Sequence, residues 1–234
     1  MQKESKLVAP IKKIFIGVLI CVVAGLIYSV VNQLRLLMPF GHGAAVLIFY
    51  NLGLAGLITG YVFMFLGLKG FEGVAEQTDK KPIRFLVVSP VFLTVSALMA
   101  MAASFAVFAE SFTTSAGILY LRCTCVGAHI LAILSAVLLV IGYAKLKKSE
   151  SFNEAMKGGF SIIFTAALLI LICECLNFGT YVSKEIFEFA PATAARCCSY
   201  FMYSVGYIQG AIGIAGLLIA LVGWNKVKRG SVKS

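Results

Sequence analysis

Charged residues are scarce in this sequence: they make up 13% of its 234 residues, against about a quarter in soluble proteins. Hydrophobic residues make up 60%, and the mean hydropathy is +0.96. This composition excludes a soluble globular domain. The alternating segments of about ten residues that build a transmembrane barrel are also absent, so the chain must satisfy its backbone hydrogen bonds in lipid as helices.

The motifs of the common enzyme classes are missing as well. The sequence has no Ser-His-Asp order, no HExxH, no P-loop and no Rossmann glycine pattern, and its two histidines are His42 and His129. An intramembrane hydrolase or transferase would have to use His129 with Glu174. The sequence therefore favours a protein that is not an enzyme, and it indicates no cofactor.

Six runs are long and apolar enough to cross a bilayer as helices, which takes about 20 residues. These spans lie near 13–34, 44–68, 84–109, 116–144, 158–182 and 198–224. Since only short connections separate them, residues 1–234 are predicted to form a single polytopic membrane domain, an all-α integral membrane protein with the lipid bilayer as its first partner.

The net charge of +10 is explained by where the basic residues stand. Sixteen of the twenty lysines and arginines lie before the first span, in the second and fourth connections, and after the last span; the other four are Arg35, Arg122, Lys184 and Arg196. Basic residues stay on the cytoplasmic side of a membrane, which predicts that both termini are cytoplasmic and that the protein lies in the cytoplasmic (inner) membrane. This distribution argues against a nucleic-acid partner.

A weak internal repeat joins spans 2, 4 and 6, which end alike at Gly67, Gly142 and Gly223, each followed within three residues by a lysine. The spacings of 75 and 81 residues predict three tandem helical hairpins, related as parallel repeats are. The alternative is that any helix end at the inner interface tends to have this composition.

Four polar residues fall at one depth inside the apolar spans: Asn51, His129, Glu174 and Gln209. At 1.5 Å per residue they lie roughly 20–24 Å from the cytoplasmic face. A carboxylate at that depth costs at least a few kcal/mol and commonly faces a wet cavity. One interpretation is an outward-facing ligand site in which Glu174 is the counter-charge and Arg122 a further candidate. The other is a structural clasp that pairs Glu174 with Arg122 or His129.

Six of the seven cysteines fall in the outer half of the predicted bundle, and no CxxC motif occurs: Cys123, Cys125, Cys173, Cys175, Cys197 and Cys198. Thiolates suit Cu(I) or zinc, but residues two apart on a helix point away from each other, so these are weak metal candidates. Disulfides between span ends and a simple role as small apolar fillers remain open.

Small residues on spans 2 and 6 predict close helix packing, and the candidates are Gly56, Gly60, Gly206, Gly210, Gly213 and Gly216. Two function classes follow from these observations. In the first, the protein binds or passes a small polar or cationic solute through the outer polar layer. In the second, it is a non-enzymatic membrane subunit, sensor or assembly factor that contacts a membrane partner or a second copy of itself through its helices.

Overall fold

Six long helices make up the computed structural model, which describes residues 2–37, 44–108, 115–187 and 192–233. In chain order they are α1 (Gln2–Leu37), α2 (Ala44–Val74), α3 (Gln77–Phe108), α4 (Ser115–Leu146), α5 (Glu154–Phe187) and α6 (Ala192–Lys233). Each of the six is long and apolar enough to cross a membrane. The prediction of an all-helical chain with six such helices is therefore confirmed.

The helices extend beyond the predicted spans at the end where the basic residues are concentrated. The predicted second and third spans are separated by 69–83, whereas α2 runs to Val74 and α3 begins at Gln77. Hydropathy marks where a helix leaves the apolar region, but lysine and glutamate are good helix formers. The helices therefore continue through the charged segment and turn within two residues.

The helices form a closed ring. Each packs against its neighbours in the chain, and α6 packs against α1; within the described ranges no pair of helices meets across the ring. The closest pairings are α1 with α2, α3 with α4 and α5 with α6, and we call these the first, second and third hairpins. The outer surface of the ring is apolar, with large side chains half or more exposed, among them Val23, Ile48, Leu98, Leu119, Ile172 and Val222.

Glycines at matching positions let the two helices of each hairpin approach closely. A Cβ atom added to Gly67 would lie 2.9 Å from the Pro10 carbonyl oxygen of α1. The same atom on Gly142 would lie 3.2 Å from the Pro82 oxygen, and on Gly223 it would lie 3.0 Å from the Gly159 oxygen. There is no room for a side chain at these positions. The three glycines at which spans 2, 4 and 6 end alike in the sequence therefore also make equivalent contacts in the structure.

Two turns further from the basic residues, the same positions again face one another within each hairpin. A Cβ atom on Gly60 would lie 2.8 Å from the Gly17 oxygen, and one on Gly216 would lie 3.5 Å from the Ala166 oxygen. In the second hairpin the corresponding residues are serines, and the Oγ atoms of Ser89 and Ser135 lie 2.7 Å apart in a buried hydrogen bond. Equivalent residues of successive hairpins are thus 72 and then 77 positions apart on α1, α3 and α5. On α2, α4 and α6 they are 75 and then 81 positions apart.

The end of the bundle that carries most of the basic residues, which we call the basic end, is closed by packed aromatic rings. Tyr143 and Trp224 lie edge to face with ring centroids 6.2 Å apart, and Trp224 meets Phe160 at the same distance. Phe71 stacks on Phe152 at 5.7 Å. All five side chains are buried, and we call them the aromatic floor.

Side chains at equivalent positions join each hairpin to the next at the basic end. Lys147 Nζ lies 3.7 Å from the ring centroid of Phe164, and Lys228 Nζ lies 4.8 Å from that of Phe15. At the third seam Glu72 accepts a hydrogen bond of 2.8 Å from Arg84 Nε. Two cation–π contacts and one ion pair thus connect neighbouring hairpins at the same level of the ring.

We expect Gly60→Ala to destabilise the protein, since the new methyl group would collide with Cys21 Sγ and lie 2.8 Å from the Gly17 oxygen. Overpacking of this kind costs about 1–3 kcal/mol. The matched control is Gly73→Ala on the same helix, where nothing lies within 4 Å of an added Cβ, and where alanine favours helix by about 0.5–1 kcal/mol. Thermal unfolding followed by the fluorescence of the sole tryptophan should rank Gly60→Ala below wild type and Gly73→Ala at or above it; the reverse order would contradict the packing described for α1 and α2.

Candidate functional site: the central cavity

A cavity of about 710 Å³ lies on the axis of the ring and is lined by residues of all six helices. On α5 its wall runs from Ile163 to Tyr181, which is about 27 Å of helix at 1.5 Å per residue. Tyr143 and Trp224 of the aromatic floor form its lower boundary. The cavity therefore extends from the closed basic end towards the opposite end of the bundle, which we call the far end.

Equivalent positions of the three hairpins line the cavity together. Gly25, Ala97 and Glu174 form one such set, and all three are in the wall. The next set along the odd helices is Tyr28, Ala100 and Asn177. Because the two sets lie three residues apart, they fall on one face of each helix. The carboxylate thus stands at a position where the equivalent residues of α1 and α3 have no side chain or a single methyl group.

Glu174 lies in the cavity wall on α5, about one turn before Asn177, which is in the wall as well. The Asn177 amide donates to Cys173 Sγ at 3.7 Å. Within the described part of the chain, no ion pair joins Glu174 to Arg122 or His129. The clasp predicted as one alternative for Glu174 is therefore not observed among these residues.

Gln209 lies at the level of Glu174 on the adjacent helix α6. Its backbone oxygen accepts a hydrogen bond of 3.3 Å from Cys173 Sγ, and its Nε2 donates to Thr180 Oγ1 at 2.7 Å. The equivalent of the first bond in the second hairpin runs from Ser96 Oγ to the Ala128 oxygen at 2.8 Å. Gln209 lines the cavity with its amide orientation fixed by Thr180.

His129 lines the cavity from α4 and is half-buried against aromatic rings of α5. Its ring centroid lies 5.5 Å from that of Tyr181 and 6.2 Å from that of Phe178. These partners stand one to two turns beyond Glu174 along α5. His129 therefore sits between the carboxylate and the far end, in the same cavity.

The other two predicted ligand residues lie outside the wall. Asn51 is buried between α2 and α3, where its Oδ1 accepts a 2.9 Å hydrogen bond from Ser104 Oγ and its Nδ2 donates to the Leu47 oxygen at 2.9 Å. Arg122 is half-buried on α4 and does not contribute to the lining. Of the polar layer predicted from depth alone, three residues share the cavity, while the amide of Asn51 is used between two helices.

The structure brings in further polar residues that depth did not select. Asn177 follows Glu174 by three residues, which is a signal that helical periodicity could have provided. The tyrosines at 28, 50 and 61 also line the cavity. Tyr28 and Tyr50 lie with their hydroxyl oxygens 3.3 Å apart and their ring centroids 5.0 Å apart, a pairing that only the contact of α1 with α2 reveals.

The cysteines divide between the cavity and the outer surface. Cys125 and Cys173 line the cavity, whereas Cys123 and Cys175 are exposed on the outside of the ring. The side chains of Cys197 and Cys198 lie outside the described residues. Among the residues that are described, no three His, Cys, Asp or Glu side chains converge as ligands of a metal would.

The predicted packing glycines are used inside the chain. A Cβ on Gly56 would lie 2.7 Å from Ala24 Cβ of α1, and one on Gly216 would lie 3.0 Å from Ile170 of α5. Gly213 faces Cys173 at 3.4 Å, and Gly206 and Gly210 line the cavity. The small residues of α2 and α6 thus either contact the other helix of their own hairpin or line the cavity.

No protein-family model, curated protein or solved structure matches the chain. What the site can do follows from its own chemistry. The cavity has the size of small-molecule sites and is mostly apolar, and its described wall holds one carboxylate, two carboxamides, a histidine and five phenols.

We expect Glu174→Gln to leave the protein as stable as wild type or more so. No ion pair of Glu174 is lost among the described residues, and a neutral amide is less costly to bury than a carboxylate. The comparison is Glu72→Gln, which removes the ion pairs with Lys69 and Arg84. Because those two side chains are mostly exposed, its cost is about 1 kcal/mol or less. A drop in unfolding temperature for Glu174→Gln as large as that for Glu72→Gln would show that Glu174 is a structural clasp.

Proposed function

We propose that this protein spans the membrane six times and binds or passes a small polar or cationic solute through its central cavity. The observation that supports this most directly is Glu174, a carboxylate in the cavity wall at a level where the equivalent residues are Gly25 and Ala97. The charge of Glu174 therefore lies where the small equivalent residues leave space for a ligand. Ionisable groups at such depth in membrane proteins commonly mark solute pathways.

The proposed architecture is three related hairpins with both termini in the cytoplasm. The matched contacts of Gly67, Gly142 and Gly223 support the repeat, and the concentration of basic residues at one end supports the orientation. The basic end would then face the cytoplasm of a cell whose cytoplasmic membrane holds the protein.

The aromatic floor gives the cavity a direction. It closes the basic end with buried rings, so a solute would reach Glu174 from the far end, past His129. Passage to the cytoplasm would require the floor to open. In the closed arrangement the cavity is a binding site that faces outward.

The alternative function, a subunit, sensor or assembly factor acting through helix contacts, drew on the glycine faces of α2 and α6. The contacts of Gly56, Gly60 and Gly216 lie within the chain. A protein partner would then have to bind the apolar outer surface. We therefore favour the solute-binding proposal.

Water access to the cavity provides the first test, and two native cysteines suit it. Cys125 lines the cavity and Cys175 is exposed on the outer surface, which lipid would cover. The thiolate is the reactive form and does not form in hydrocarbon. Intact cells are treated with a membrane-impermeant cationic methanethiosulfonate, and modification of each cysteine is followed by mass spectrometry. We expect Cys125 to react at least about tenfold faster than Cys175. Unreactive Cys125 would mean a dry cavity and would refute the proposed function.

The orientation has its own test. Green fluorescent protein fused after Ser234 should fluoresce, because it folds in the bacterial cytoplasm, and alkaline phosphatase fused at the connection 109–114 should be active, because it requires the oxidising outer compartment. An active phosphatase fused after Ser234 would reverse the proposed topology and place the aromatic floor on the outside.

A further inference from the structure

The three hairpins contribute chemically different walls to the cavity. Above the aromatic floor, the first hairpin supplies the phenol rings of Tyr28, Tyr50 and Tyr61. The second supplies His129 and small residues, among them Ala97, Ala100, Ala132 and Ala136, and the third supplies the polar groups of Glu174, Asn177 and Gln209 together with the ring of Tyr181. These differences occur at equivalent positions. The backbone arrangement therefore repeats around the ring while the chemistry does not.

The aromatic wall is held in place by its own contacts. The hydroxyl oxygens of Tyr28 and Tyr50 lie 3.3 Å apart, and their rings are tilted at 42° with centroids 5.0 Å apart. Tyr61 lines the cavity nearer the floor, at the position equivalent to Ala136 and Leu217. Tyrosine faces attract cations, and more strongly where water is displaced.

The charge of the wall selects the sign and number of the ligand's charges. Among the described lining residues Glu174 is the single carboxylate, and none is a lysine or arginine. Buried charges need a partner of opposite sign. One carboxylate facing aromatic rings therefore suits a ligand with one positive charge.

The rest of the wall selects an organic ion over an inorganic one. Hard metal ions need six or more oxygen ligands at short range, and no cluster of three acidic, histidine or cysteine side chains occurs in the described chain. The volume of about 710 Å³ is far larger than an ion requires, since water takes about 30 Å³ per molecule. Leu54, Met64 and Ile170 add apolar surface to the wall, and an apolar ligand body would cover it.

We infer that the cavity binds a monovalent organic cation with a bulky apolar or aromatic body, its charge between Glu174 and the tyrosines of the first hairpin and its body against the alanine wall of the second. This inference rests on the proposed function, because it names the solute class of the same site. The alanines at 97, 100, 132 and 136 leave the space that the body fills.

The test uses radiolabelled tetraphenylphosphonium as the probe, with the full chain in lipid nanodiscs. We expect saturable binding of one cation per chain. Glu174→Gln should weaken binding at least about tenfold, because it removes the one negative charge of the described wall. The matched control is Glu150→Gln, the same chemical change at an exposed position of the basic end, which should leave binding unchanged. Tyr61→Phe should keep binding and Tyr61→Leu should weaken it several-fold, since the ring face is what attracts the cation.

A second measurement needs no substitution. Triphenylphosphine oxide, a neutral molecule of similar apolar body, should displace the probe at least about tenfold less well than unlabelled tetraphenylphosphonium, and 100 mM sodium or potassium chloride should not displace it. Equal displacement by the neutral molecule, displacement by either salt, or unchanged binding in Glu174→Gln would overturn the inference. If Cys125 is labelled from water but the wild-type chain does not bind the probe, the ligand class is wrong while the solute cavity stands; if Cys125 is unreactive, the proposed function itself fails.

Discussion

Close backbone contact between the two helices of each hairpin is the constraint on which the rest of this structure depends. Gly67, Gly142 and Gly223 each present a bare Cα to a carbonyl oxygen of the preceding helix. Helices in a membrane gain little from hydrophobic burial against each other, so small residues that allow close packing determine how they pair. Three such pairs, joined at their seams by Glu72, Lys147 and Lys228, leave an open axis that larger packing residues would have filled.

The cavity follows from this arrangement, and its polarity is set by few residues. Ser89 and Ser135 form a buried hydrogen bond between α3 and α4, and Asn51 bonds to Ser104 between α2 and α3. These polar groups are satisfied by protein partners and add to helix packing. Glu174 differs because its surroundings in the described chain offer it an amide neighbour but no cation. That contrast separates the polar residues that hold the bundle together from the one that a ligand would neutralise.

Much of the fold could be predicted from the sequence, because span length and hydropathy directly reflect the thickness of a bilayer. The pattern of Gly67, Gly142 and Gly223 was also visible, and these glycines make the close contacts between the two helices of each hairpin. The cavity was less accessible. Depth along the helix placed Asn51 with Glu174, yet depth gives no information on which way a side chain points, and Asn51 faces α3. The tyrosine pair 28 and 50 depends on how α1 meets α2, a relation that single-sequence periodicity does not contain.

The glycines that make the closest backbone contacts within each hairpin lie outside the cavity wall, and this affects how the wall can vary. Gly17 and Gly60, which bring the backbones of α1 and α2 together, lie outside the cavity wall, whereas Gly25 and Tyr61 of the same helices are part of it. Wall residues can therefore be exchanged while the register of the hairpin is preserved. Substitutions in the wall of one hairpin could then change which ligands the cavity selects, while the other two hairpins keep their wall residues.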